Sequence, residues 1–118
     1  MATKVNLFPD QGSDFKHRFC YRDKATKLAI PLTDYLIEMQ VRPFKQSSEI
    51  LADLDSDTKG GVVLTDAING EFTITLTGAS TAAWRNDEAV YDIRGTNGSS
   101  IPERIAEGEI YLNKSTTR

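Results

Sequence analysis

Three aspartates at alternate positions in "DLDSDTKGGVVL", Asp53, Asp55 and Asp57, have a spacing that suits chemistry, because this pattern opens a calcium-binding EF-hand loop. Such a loop also needs a glycine for its tight turn and a bidentate glutamate at its end. Those positions hold Thr58 and Leu64. A solvated turn between strands is the expectation, and no metal site. His17 and Cys20 are the only histidine and the only cysteine. A thiolate nucleophile needs its base within hydrogen-bond reach, and an odd separation on a strand turns the two side chains to opposite faces. His17 is expected to pack beside Phe15 and Phe19, or to sit at an interface where its titration matters.

Acid pairs offer a second chemistry. Asp87 with Glu88, and Glu107 with Glu109, could exchange protons only if a pocket held two carboxyls in contrasting environments. Glu107 and Glu109 share one strand face opposite an apolar stripe, so a solvated outer face is expected. Lys59-Gly60-Gly61 lacks the spaced glycine and the Lys-Ser/Thr ending of a phosphate loop. Trp84 and Tyr91 have no neighbouring polar constellation. The reading for both is structural: Trp84 plugs one end of the core, and the Tyr91 hydroxyl finds a backbone partner. No catalytic residue is assigned.

These residues must be positioned by strands, because apolar side chains recur mainly with period two. In "DFKHRFCY", Phe15, His17, Phe19 and Tyr21 share a face against Lys16, Arg18 and Cys20. In "YLIEMQVRP", Tyr35, Ile37, Met39 and Val41 do the same, and Pro43 ends the strand by withholding a ladder donor. "SEILADL" reads as a short strand pairing with the preceding one. Asn69-Gly70 predicts a tight hairpin with both turn residues at positive φ between "VVLTDA" and "EFTITL", whose Phe72, Ile74 and Leu76 face inward. "ASTAAWRND" suits a short helical crossover near residues 79–85, capped by Ser80 or Thr81. "AVYDIRG" and "ERIAEGEIYLN" resume the extended pattern, the latter with Ala106, Gly108, Ile110 and Leu112 on one face, and "KSTTR" reads as a solvated end. The result is an all-β, antiparallel β-sandwich of about seven to nine strands. Residues 1–12 form an N-terminal arm and residues 13–118 a single domain.

A chain of 118 residues is long enough for one core without metal or disulfide support. Its net charge of −3 argues against a partner held through phosphates, so nucleic acid is not expected. A single cysteine allows no internal disulfide and suits assembly in a reducing compartment. The first residues carry no apolar run of signal-peptide length, and no membrane span or membrane partner is expected.

The ordered series "QGSDF", "IPLTDY", "MQVRP", "EILADL", "GEFTITLTGASTAAW", "AVYDI" and "AEGEIYLNKSTTR" resembles short structural proteins of tailed bacteriophages. Similar modules form the N-terminal anchoring domain of baseplate proteins that carry receptor-binding proteins. The resemblance implies an immunoglobulin-like or related β-sandwich, repeated around a symmetry axis. It also implies a virion component of the tail, baseplate or neck, made in the host cytoplasm and joined to other virion structural proteins. Because the sequence stops at Arg118, short of the receptor-binding segment of those proteins, a connector or adaptor is expected rather than a host-recognition module. The expected interface is the arm, with Val5, Leu7 and Phe8 as apolar anchors adding to a neighbour's sheet edge; pairing of the arm with its own sheet stays open. A capsid cement or decoration protein and a small ligand-binding or enzymatic β-domain are the alternatives. No cofactor and no small-molecule substrate are expected.

Overall fold

The computed structural model describes residues 3–23, 25–84, 87–100 and 102–113. Eight strands follow one another along them: β1 (Thr3–Lys4), β2 (Phe15–Cys20), β3 (Leu36–Arg42), β4 (Ala52–Asp55), β5 (Val62–Asp66), β6 (Glu71–Leu76), β7 (Glu88–Thr96) and β8 (Pro102–Tyr111). They build a five-stranded sheet in the order β1-β8-β7-β3-β4 and a three-stranded sheet in the order β2-β6-β5. Every pairing between strands is antiparallel except that of β1 with β8. A β-sandwich is thus what the period-two pattern specifies.

Alternation places the core between the layers. The small sheet contributes Phe19, Phe72, Ile74 and Leu76, and the large sheet contributes Ile37, Met39, Val41, Ile93, Ala106 and Ile110. Trp84 joins them at 5 % exposure. One break in the alternation decides which side chains face which way. Ile93 pairs with Ala106 but Arg94 pairs with Arg104, so Ile105 is an extra residue in β8. Such a bulge shifts the parity of the strand. Ile105 and Ala106 are consequently both buried, and Glu103 and Glu107 fall on opposite sides of the sheet.

Two local expectations are corrected. The β5–β6 connection is a 3-10 turn over Ala67–Asn69, and Gly70 at φ 72° follows it; Asn69 does not take a positive φ. The longer turn arises because the segment after β2 packs against it. The Gly70 carbonyl accepts the Tyr21 N–H, and a Cβ at position 70 would lie 2.6 Å from the Tyr21 carbonyl oxygen. The crossover is one short helix, α1 (Gly78–Ala82), and its cap is Thr77, whose Oγ1 accepts the Ser80 N–H at 3.2 Å. Thr81 is instead buried, donating to the Gly78 carbonyl and accepting from the Gly12 N–H. Arg85 and "KSTTR" lie outside the described residues.

The layers are pinned together at one end by a carboxylate. Glu103 on β8 accepts hydrogen bonds from the hydroxyls of Tyr21, at 2.8 Å, and Tyr35, at 2.7 Å. Those bonds, Tyr35 first, hold the Glu103 carboxyl below its ordinary pKa against the opposing effect of burial. Burial first and the Glu103 bond second push Tyr35 up to about 12 and raise Tyr21 as well. A lowered carboxylate pKa means stabilisation that is present above the unfolded value, roughly pH 4.3, and is lost as pH falls through the folded value. The raised tyrosines add stabilisation that is complete below pH ~10 and is lost as pH rises through their folded values.

Urea unfolding midpoints measured across pH are accordingly expected to fall on the acid side in the parent chain, with a smaller acid-side fall in Glu103→Gln. Ile74→Ala, at a position with no exposure, is expected to cost about 2–5 kcal/mol in the same assay.

Candidate interaction surfaces

The arm takes the second of the two pairings the sequence leaves open, because residues 3–10 zip along the chain's own β8. Thr3 and Lys4 pair in parallel with Ala106 and Glu107, and bridges join Leu7 to Ile110 and Asp10 to Asn113. The Val5 and Leu7 N–H groups donate to the Glu107 and Glu109 carbonyls, both at 2.9 Å. The three proposed anchors therefore part company. Leu7 is 2 % exposed and belongs to the core, Val5 is half-buried against it, and only Phe8, 67 % exposed, is presented to solvent. Phe8 stacks on Tyr111 with ring centroids 5.5 Å apart.

Two residues on the sheet make room for the arm. A Cβ at Gly108 would sit 2.0 Å from the Val5 carbonyl oxygen, so that position must lack a side chain for the backbone to approach. The Tyr91 ring occupies the space beside Gly108, and its hydroxyl donates to that same Val5 carbonyl. Burial raises the Tyr91 pKa. The backbone partner expected for Tyr91 exists, on the arm. At the far end of the arm, Gln11 Nε2 donates to the carbonyls of Thr81 and Trp84.

A second surface is the outer face of the five-stranded sheet, where charged side chains line an open trough of about 850 Å³. Asp92 is among its lining residues, directly opposite Glu107 across the β7–β8 ladder. Arg94 and Arg104 compensate this like-charge pair: Arg94 Nε is 3.6 Å from Asp92, and Arg104 is 3.9 Å from Asp92 and 3.2 Å from Glu107. Half-exposed pairs of this kind contribute about 0–1 kcal/mol each. At the rim, Arg42 donates to Gln40 Oε1 at 2.9 Å and to the Ser47 carbonyl. A trough was not expected from the sequence. Period two reports which face a side chain takes and nothing of a sheet's twist, which the bulge at Ile105 increases.

The remaining candidates resolve individually. Asp55 is buried, and its Oδ1 accepts the N–H groups of Asp57 at 2.9 Å and Lys59 at 2.8 Å. Burial works to raise its pKa, and these backbone donors outweigh it. Lys59 meets Asp53 at 2.8 Å, so an ammonium serves the aspartate turn. Groups of three or more side chains able to hold a metal do not occur among the described residues. His17 lies between Phe15 and Phe19, with centroids 6.3 and 4.7 Å away, and burial lowers its pKa. Cys20 is exposed on the other face of β2, with Sγ 3.6 Å from the Asn69 carbonyl oxygen.

Exposed apolar side chains in turns and on one strand went unread in the sequence. Leu28, Phe44, Ile50, Val63 and Ile68 are 68, 62, 43, 59 and 74 % exposed. Only Val63 had a readable pattern, since it follows Val62 in a run where alternation sends every second residue outward. A scan of protein-family models and a search of curated proteins return no match for this chain.

Tyr91→Phe is expected to cost about 1–3 kcal/mol by leaving the Val5 carbonyl without its donor. In Gly108→Ala, hydrogen exchange is expected to show loss of protection at the Val5 and Leu7 amides while β3 and β7 stay protected. Unchanged arm amides would refute the close-approach argument.

Proposed function

We propose that this chain is a structural component of a bacteriophage virion, a connector or adaptor of the tail, baseplate or neck that works through protein–protein contacts in a symmetric assembly. The resemblance of its ordered segments to phage structural proteins supports this reading. The carrying observation in the geometry is the distribution of exposed apolar side chains. Phe8 on the arm, Val63 on an edge strand and Leu28, Phe44 and Ile68 in connections are spread over rims and turns rather than gathered around an enclosed site. Surfaces of that kind fit contacts with several protein neighbours.

An immunoglobulin-like topology is part of the proposal, and strand order supports it. The second, fifth and sixth strands share one sheet, while the third, fourth, seventh and eighth share the other, as B, D, E and C, C′, F, G do in variable-type domains. A ligand-binding β-domain is the second reading, favoured by the trough around Asp92. Its openness and the mutual pairing of its charges favour a protein surface over a small molecule.

Virions carrying an affinity-tagged copy, separated into tails and capsids, test the proposal. The tag is expected with tails at a copy number set by a low-order or sixfold ring. Recovery with capsids in large number would establish the decoration alternative, and absence from particles would overturn both.

A further inference from the structure

We infer that copies of this chain join head to tail, with the β2 edge of one copy adding to the β5 edge of the next, so that three-stranded sheets run on from copy to copy. This rests on the reading of the chain as a repeated unit of a symmetric assembly. β2 and β5 are the two outer strands of the small sheet. The β2–β6 register and the bond from the Tyr21 N–H to the Gly70 carbonyl direct the main-chain groups of Phe15, His17 and Phe19 toward β6. Those of Lys16, Arg18 and Cys20 therefore point to the open edge. On the other side, the Thr75 N–H donates to the Gly61 carbonyl, which turns Gly61 and Val63 toward β6; the start of this edge is bridged by Asp55, and past the register shift after Val63 the rim over residues 64–66 has no partner strand on its outer side among the described residues. The end of β4 is closed at the same place, because the Asp55 N–H is bonded to the Gly60 carbonyl.

Charge selects the pairing. Lys16 and Arg18 are exposed, and neither forms an ion pair among the described residues. The opposite edge is flanked by acids: Asp57 in the turn that leads into β5, and Asp66 at its end, with Lys59 nearby engaged by Asp53. Pairing β2 with β2 across a two-fold axis would set Lys16 and Arg18 against their own kind, a destabilising arrangement in a sheet. Pairing with β5 puts them between carboxylates and covers Val63. Both strands run antiparallel to β6, so they run the same way, and a copy moved along without being flipped presents β2 parallel to β5. A repeated contact of this kind is heterologous and closes into a ring when its rotation allows. One strand pair is a small interface, so association is expected to be weak per contact and strengthened in a ring by avidity.

Sedimentation of the isolated protein tests this. Weight-average mass is expected to rise with concentration and to fall on adding salt, which screens exposed charges. Lys16→Glu/Arg18→Glu and Asp57→Lys/Asp66→Lys are each expected to sediment as monomers with the parent's unfolding midpoint, and an equimolar mixture of the two is expected to regain association. A parent that stays monomeric at every concentration, or variants that associate like the parent, would overturn the inference. Tagged protein found in tails alongside a strictly monomeric isolated chain would sink edge pairing alone. Edge-dependent association with no tag in particles would sink the virion reading alone.

Discussion

Two sheets of unequal width can each bury only one face, and the rest of this molecule follows from holding that face in register. A slip of one residue on any strand would turn its apolar stripe outward. Ile37, Met39 and Val41 on β3 must therefore meet Phe72, Ile74 and Leu76 on β6 in a single arrangement. The three-stranded layer covers less of its partner than five strands would. Trp84 and Leu32, outside both sheets, are buried with them, as is Leu7 of the arm.

The arm shows how that constraint reaches into the chemistry of single positions. A leader drawn along a sheet edge normally competes with side chains at the edge. Here Gly108 removes the obstruction and Tyr91 supplies both apolar cover and a donor. At the other end of β8 the same economy appears in Glu103, one carboxylate satisfying two tyrosines from different layers. The bulge at Ile105 separates these two regions and allows one strand to face the interior with Glu103 at its start and with Ile110 near its end.

The strands and the sandwich were legible in the sequence because alternation is a local property, written in neighbouring residues such as Phe15 to Cys20. The aspartate segment was legible only in part: a turn does separate the strands there, but Asp53 and Asp55 lie on β4, and Asp55 is buried rather than solvated. What stayed hidden depends on groups far apart in the chain. Val5, Leu7 and Phe8 look alike as anchors, and only the parallel partner in β8 separates a core residue from an exposed one. The turn at Asn69-Gly70 lost its tight form to contacts from Tyr21 and Ile30, about forty or more residues distant. The trough around Asp92 is lined by residues of β3, β7 and β8, which no local pattern brings together.

Parallel pairing of the arm with the last strand has a consequence for the order of synthesis. Asp10 and Asn113, joined at 2.8 Å, are 103 positions apart in the chain. As the polypeptide leaves the ribosome, Val5 and Leu7 emerge well before β8 and have no edge to lie on until it follows. The finished layer thus closes in a late, long-range event of the kind that slows β-rich folding. Until then the leader's backbone donors stay free for any strand that offers a vacant rim.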